Sequence, residues 1–274
     1  MYWLNKTKNL INEDYLDRLL EIYNPEEAGR SALPREKAAR LKELFEIKRC
    51  EELIKELILL RKEGFKFPVE DPYVGFLAHY PSALLKNPKT IERLCNIIFK
   101  ITSYEELQRR IEEPKKASKR LGSMFQKWLK NKFKHNFVEY EKFESMEMAF
   151  LEGGDIALKN YAENRLRCSF GMQGKGLDFL LKVRDKYVIG TAKFITEFGG
   201  SQDNQFSEAL NLLTVKCDGN VLKVALIDGV VWISNNKVLK IEKILKEHVD
   251  RFCFSSLLLE EFIGTLKGWN FQSQ

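Results

Sequence analysis

Asp178 and Lys193 are the two residues whose types and spacing could do chemistry. Each interrupts a run of apolar residues, 177–183 for the acid and 186–195 for the lysine. Burying either charge costs on the order of several kcal/mol unless another group compensates it. Hydrolysis of a phosphodiester needs a divalent cation on oxygen ligands and a cationic group near the attacking water or the developing charge. An acid and a lysine that meet at one phosphate could supply both.

The two apolar runs are predicted to pair as a β-hairpin. The polar pair Arg184-Asp185 separates them and fits a two-residue turn. With that turn, Asp178 lies opposite Thr191. Side chains alternate along a strand, so Thr191 and Lys193 share one face, and Lys193 is diagonal to Asp178 at roughly 7–8 Å between backbones. Both charged groups can then reach one phosphate.

Proline usage divides the chain into two parts. All seven prolines lie before residue 115. Residues 1–135 are predicted to be mostly helical, because apolar residues recur there at helical spacing. Residues 136–274 are predicted to run helix, strand, strand, helix, strand, strand, helix. This order predicts an α/β (α+β) core behind a mostly helical N-terminal part.

Residues 171–213 resemble the core of a known nuclease superfamily. The run GKGLDFLLKVRDKYVIGTAKFITEFGGSQDNQF has the pattern G-x-D, hairpin, G-x-A-K and G-G-x-Q, and it is similar to type II restriction endonucleases of the PD-(D/E)xK superfamily. The resemblance implies a mixed central sheet flanked by helices, double-stranded DNA as substrate, Mg²⁺ dependence with Mn²⁺ as a substitute, and usually a homodimer. It also implies that Asp178 and the Ala192 carbonyl bind metal and that Lys193 is catalytic.

Thr191 departs from the pattern of that superfamily. A second carboxylate, usually Glu, is expected at this position, and a hydroxyl cannot replace a charged ligand of Mg²⁺ at equal strength. In one branch of these nucleases the following helix supplies the second acid, and Glu208 would then have this role. Alternatively, the chain is a DNA-binding protein of the same fold whose centre is inactive, naturally or by an introduced substitution. Both explanations remain open.

Three more polar residues are candidates for the site. Glu163 lies on the predicted helix before the first core strand, and by the resemblance that helix often contributes an acid; a solvated helix charge is the alternative. Gln202 and Gln205 lie at the start of the helix after the hairpin. They could contact a DNA phosphate or position Lys193, or they could be ordinary glutamines on a helix surface.

The segment 115–135 is rich in Lys and Arg and contains no Asp or Glu. Its apolar residues Leu121, Phe125, Trp128 and Leu129 recur at helical spacing, which predicts one buried face and one basic face. Such a surface suits a polyanion, so we expect contacts with the DNA backbone that position the duplex without reading bases. The expected contacts are Lys115, Lys116, Lys119, Arg120, Lys127 and Lys130.

Composition excludes several other classes of protein. The net charge is +6, and no apolar run is long enough to span a membrane. The first residues do not resemble a secretion signal, so a cytoplasmic protein is expected. The five cysteines are widely spaced without a CxxC pair, and the chain has three histidines; we therefore expect reduced cysteines and neither zinc nor disulfides. There is no GxxxxGK[ST] loop, so no nucleotide cofactor is expected.

The sequence thus favours a site-specific, Mg²⁺-dependent DNA endonuclease of the type II restriction class. The first rival is a DNA-binding protein of the same fold with an inactive centre. The second is a helical interaction or scaffold protein that carries a small sheet, and it would show no salt-dependent affinity for duplex DNA.

Overall fold

The computed structural model describes residues 1–24, 32–113, 120–171 and 176–268. Contacts divide the chain into two compact units, residues 1–25 with 118–274 and residues 26–117. The division expected at residues 135 and 136 differs from this one, because residues 1–25 and residues 118–135 of the basic segment belong to the unit that contains the sheet. No helix of the described ranges is long and apolar enough to cross a membrane.

The helices of the described residues differ widely in length. In chain order they are α1 (Tyr2–Ile11), α2 (Tyr15–Leu19), α3 (Arg35–Glu46), α4 (Cys50–Lys62), α5 (Pro72–His79), α6 (Ala83–Lys86), α7 (Pro88–Ile98), α8 (Tyr104–Glu112), α9 (Leu121–Lys132), α10 (Tyr140–Phe143), α11 (Asp155–Arg165), α12 (Gly200–Leu213), α13 (Asn235–Glu247) and α14 (Leu259–Gly268). Helices α3 to α8 form the second unit and bury their own apolar core.

The described strands form one mixed sheet in the first unit. They are β1 (Phe137–Val138), β2 (Met148–Leu151), β3 (Phe179–Val183), β4 (Lys186–Ile195), β5 (Val221–Gly229) and β6 (Arg251–Phe254), and they lie side by side in chain order. Pairing is antiparallel from β2 to β4 and parallel for β1 with β2, β4 with β5 and β5 with β6. The predicted mixed sheet flanked by helices, with a helical N-terminal part, is confirmed.

Both faces of this sheet are covered. Leu181 on one face packs into a core shared with α1, α9, α12 and α14, whereas Leu180 on the other face packs with α11. The alternation follows from the two-residue period of side chains along a strand. The strands are therefore largely apolar on both sides, so each charged residue within them needs a partner that compensates its charge.

A buried carboxylate ties the first residues of the chain to the end of β5. Asp228 is fully buried and accepts hydrogen bonds from Tyr15 Oη at 3.0 Å, Tyr23 Oη at 3.2 Å, Ser255 Oγ at 2.5 Å and the Ser256 amide at 3.3 Å. Four donors compensate a group that is costly to bury. Burial nevertheless raises the pKa of Asp228 above its ordinary value.

Asp228→Asn is expected to destabilise the fold by about 1–3 kcal/mol at low pH, because the NH2 group of Asn has two donors and no acceptor, whereas both carboxyl oxygens face donors and can accept even when the acid is protonated. The raised pKa means that folding favours the protonated acid. The stability of the natural chain therefore falls as pH rises from the ordinary Asp range through the folded-state pKa. The difference in free energy of unfolding between the natural chain and the variant, the gap, becomes smaller over the same range. Urea unfolding of both proteins across this range measures the gap. A gap that widens with pH would contradict the prediction.

Four of the five cysteines are paired, and the expectation of reduced cysteines is wrong. Cys50 is bonded to Cys95 in the second unit, and Cys168 is bonded to Cys217 in the first. Cys253 is a buried free thiol. The partners are 45 and 49 residues apart. Such long-range pairs meet only in the folded chain, so their spacing carries no local signal.

Alkylation with iodoacetamide in denaturant without reductant is expected to modify one cysteine, and all five after reduction. Closing loops of this length removes unfolded-state entropy worth about 4 kcal/mol per bond. Reduction should therefore lower the free energy of unfolding by up to this amount for each bridge. Modification of all five before reduction would contradict the pairing.

Candidate active site

The predicted hairpin is confirmed, and its register brings the candidate residues together. Val183 pairs with Lys186 and Phe179 with Gly190, as a two-residue turn requires. Arg184 adopts a left-handed φ of 56°, which such turns need. The Phe179 ring lies so close to Gly190 that an added Cβ would be 2.0 Å from it. Glycine at this position permits the close approach next to Asp178.

Three consecutive residues of β4 converge on one oxygen of Asp178. Its Oδ2 accepts hydrogen bonds from Thr191 Oγ1 at 2.7 Å and from the Ala192 amide at 2.9 Å, and Lys193 Nζ lies 3.5 Å away. No described residue donates to the other oxygen, Oδ1. Since the side chain is 26% exposed, Oδ1 retains lone pairs for a ligand from outside.

A cavity of about 290 Å³ adjoins this centre. Its described walls include Thr191 and Lys193 from β4, Glu208 and Asn211 from α12, and Ser169. Helix α12 begins directly after β4, at Gly200, and its apolar residues pack in the core. Glu208 and Asn211 are three residues apart on this helix and so share a face. The structure therefore brings Glu208 to the same cavity as Thr191 and Lys193.

One of the disulfides holds a segment of the cavity wall in place. Ser169 follows Cys168 directly, and its amide donates to the Lys216 carbonyl at 2.7 Å. Cys217, the partner of Cys168, follows Lys216. The segment that contributes Ser169 to the cavity wall is thus held by a covalent bond and a hydrogen bond to one neighbouring segment.

Three other predicted site residues, Glu163, Gln202 and Gln205, are not among the described residues of the cavity wall. Glu163 on α11 has Lys159 Nζ at 3.7 Å and is not among the described residues of the cavity wall. Gln202 is 7% exposed, and its Oε1 accepts a hydrogen bond from the Thr196 amide at 3.3 Å. Its burial argues against contact with a DNA phosphate. Gln205 is half-buried on α12 and also lies outside the described cavity wall.

Gln126 was not singled out in the sequence. This residue of α9 donates from Nε2 to the main-chain oxygen of Asp178 at 2.6 Å. The contact joins residues 52 positions apart. No local pattern could have indicated it.

The residues present fit a hard divalent cation. Asp178 and Glu208 supply carboxylates, and Mg²⁺ is usually held by one or two of these, with water and substrate phosphate completing its ligands. The Ala192 amide faces Asp178, and in a strand the carbonyl of the same residue faces the same neighbour. No group of three Asp, Glu, His or Cys side chains within the described residues could hold a metal. The site would therefore depend on two acids and the Ala192 carbonyl.

Residues 121–132 of the basic segment form the amphipathic helix α9, as predicted. Phe125 and Leu129 of α9 are buried, whereas Lys127 and Lys130 are exposed. Arg120 precedes the helix, and its buried Nε and Nη1 have no hydrogen-bond partner among the described residues. Burial of these two nitrogens argues against their direct contact with a DNA phosphate, as it does for Gln202. Lys115, Lys116 and Lys119 lie outside the described residues.

Comparison with known proteins gives a match at the level of the family. The sequence model of a family described as "Tsp45I type II restriction enzyme" matches residues 1–266. The match includes both compact units. No match was found among curated proteins or among solved structures.

Proposed function

Since the chain belongs to the Tsp45I type II restriction enzyme family, a family of site-specific DNA endonucleases, we propose that Asp178, Lys193 and Glu208 form a Mg²⁺-dependent centre that hydrolyses a phosphodiester of double-stranded DNA. The convergence of Thr191, Ala192 and Lys193 on Asp178 Oδ2, next to the cavity that contains Glu208, is the observation that carries this proposal.

Asp178, Glu208 and the Ala192 carbonyl would hold the metal. Bound Mg²⁺, or Mn²⁺ in its place, would supply positive charge that polarises the phosphoryl group and lowers the pKa of a bound water. Thr191 donates to Asp178 Oδ2 and so keeps the carboxylate turned with Oδ1 outward. Thr191 itself carries no charge. It would position the Asp178 carboxylate but would not take the place of the second carboxylate.

Lys193 would stabilise the charge that develops on the phosphate or orient the attacking water. Its side chain is 22% exposed, so its ammonium group is partly withdrawn from solvent and acts more strongly than it would in water. The nearby carboxylate of Asp178 compensates this charge in the free protein. A phosphate that enters the cavity would compete for the same ammonium group.

The DNA backbone is the proposed partner of α9 and its surroundings. Lys127 and Lys130 are exposed on this helix, and Arg120 lies directly before it, so their positive charges suit the phosphates of a duplex. A duplex has two strands, and the described part of the chain has one centre of this kind. We therefore propose that the active form is a homodimer, and that it works in the cytoplasm with its DNA.

Incubation with a mapped plasmid and Mg²⁺ tests the proposed function. Discrete fragments with defined ends are expected, and chelation of the metal should abolish them. Tight, salt-dependent binding to duplex DNA without cutting in Mg²⁺ or Mn²⁺ would favour the inactive DNA-binding protein instead. A lack of any salt-dependent affinity for duplex DNA would favour the scaffold protein.

A further inference from the structure

The main chain at Asp178 departs from a regular hairpin ladder. The paired residues of β3 and β4 end at Phe179 and Gly190. Beyond them the Asp178 amide donates to the Gly190 carbonyl at 2.9 Å, while the Ala192 amide donates to the Asp178 carboxylate instead of to a main-chain oxygen. The main-chain oxygen of Asp178 accepts its hydrogen bond from a donor outside the hairpin.

Gln126 is that donor. Its Nε2 lies 2.6 Å from the Asp178 carbonyl oxygen, and the side chain is half-buried. The preceding residue, Phe125, is buried, and its ring lies 6.3 Å from the Phe179 ring, centroid to centroid. Two adjacent residues of α9 therefore contact Phe179, the first residue of β3, and Asp178 directly before it.

Helix α9 reaches Asp178 from the side opposite to its carboxylate. Phe179 packs with Phe125 in the core on one face of the sheet, and neighbouring side chains of a strand point to opposite faces. Gln126 therefore holds the main chain of Asp178 and leaves the carboxylate to Thr191, Ala192 and the cavity. A small rotation of this peptide would move Oδ1, to which no described residue donates.

We propose that Gln126 is a positioning residue that fixes the Asp178 peptide so that Oδ1 is aimed at the metal. The inference rests on the proposed function of the same site. Partners of metal ligands typically change metal affinity or activity about 10–100-fold when they are removed.

Gln126→Met tests this role, because it preserves the length of the side chain and removes the donor. Binding of Mn²⁺ alone, measured by calorimetry without DNA, is expected to weaken about 10-fold or more. The Mg²⁺ concentration that gives half-maximal cleavage should rise in parallel, and the Kd for duplex DNA without metal should change less than about twofold. Phe125 remains to hold α9 on the sheet.

Gln108→Met is the matched control, since it removes a similar hydrogen bond, to Glu112, in the other unit. It should leave Mn²⁺ binding and cleavage unchanged. A Gln126→Met protein that binds Mn²⁺ as the natural chain does, with or without lower stability to urea, would overturn the positioning role. A natural chain that binds no Mn²⁺ and cuts no DNA would overturn the proposed function itself, and this inference with it.

Discussion

Asp178→Asn and Lys193→Ala are each expected to reduce the rate of DNA cleavage about 10³-fold, which is the size of effect seen when one preorganised charged or hydrogen-bonding group is lost from an active site. Asparagine preserves the shape of Asp178 and its hydrogen bond from Ala192 but loses the negative charge that would hold the metal. Alanine at position 193 removes the ammonium group 3.5 Å from Asp178 Oδ2. Neither change removes apolar packing, so both proteins should fold.

Single-turnover cleavage of a duplex that contains the recognition sequence measures the chemical step, and fluorescence anisotropy of the same duplex without metal measures binding. Binding should change little, because the proposed contacts of α9 with the DNA backbone are unaltered. Glu163→Gln is the informative comparison, since the carboxylate near Lys159 lies outside the described cavity wall. It should cut as the natural chain does. Cleavage by Asp178→Asn at the natural rate would contradict the assignment.

The double variant Asp178→Asn, Lys193→Ala provides a second check of the same centre. Groups that act as one unit give non-additive losses, because removing one already disables the other. We expect the double variant to be little slower than the slower single variant. Fully additive losses would indicate that the two residues act independently.

The hairpin could be predicted because local rules determine it. A two-residue turn at Arg184-Asp185 fixes the register, and the alternation of side chains then places Thr191 opposite Asp178. The same is true of α9, whose apolar spacing alone indicates that Phe125 and Leu129 are buried. In each of these elements, residues within a few positions of each other in the chain carry the information.

The surroundings of the hairpin could not be predicted, because they depend on contacts that are distant in the chain. Cys168 meets Cys217, and Gln126 meets Asp178, only after helices have packed on the sheet. The position of Gln202 at the start of α12 suggested a phosphate contact, a residue that positions Lys193 or an ordinary surface glutamine. The side chain is instead buried, and its Oε1 accepts a hydrogen bond from the Thr196 amide just beyond β4. A polar side chain near the end of a strand can form a hydrogen bond with the main chain as readily as with a bound ligand.

The division of the chain was also beyond local reasoning. Prolines and helical spacing grouped the first residues with the helical part, but Tyr15 and Tyr23 donate to Asp228, at the end of β5. These hydrogen bonds tie the beginning of the chain to the sheet. Buried polar networks of this kind are specified by three-dimensional complementarity, which no periodic pattern reports.

Glu208→Gln and Thr191→Glu separate the two explanations of the missing carboxylate. If Glu208 supplies the second acid, Glu208→Gln should lower cleavage about 10²–10³-fold and weaken binding of Mn²⁺. Glu197→Gln is a matched control, because Glu197 is another acid that follows Lys193 and is exposed outside the described cavity wall. It should leave both quantities unchanged.

Thr191→Glu should then lower activity as well. Thr191 is 6% exposed, and its hydroxyl donates to Asp178 Oδ2. A glutamate there would remove this donor and place a second negative charge against the first in a buried position, which favours protonation of one of the two carboxyl groups. A hydroxyl at position 191 and a carboxylate at position 208 are thus complementary parts of one arrangement. The opposite result is that Thr191→Glu raises cleavage by orders of magnitude while Glu208→Gln has no effect. Thr191 would then be the residue that impairs the enzyme, and Glu208 would have no part in the chemistry.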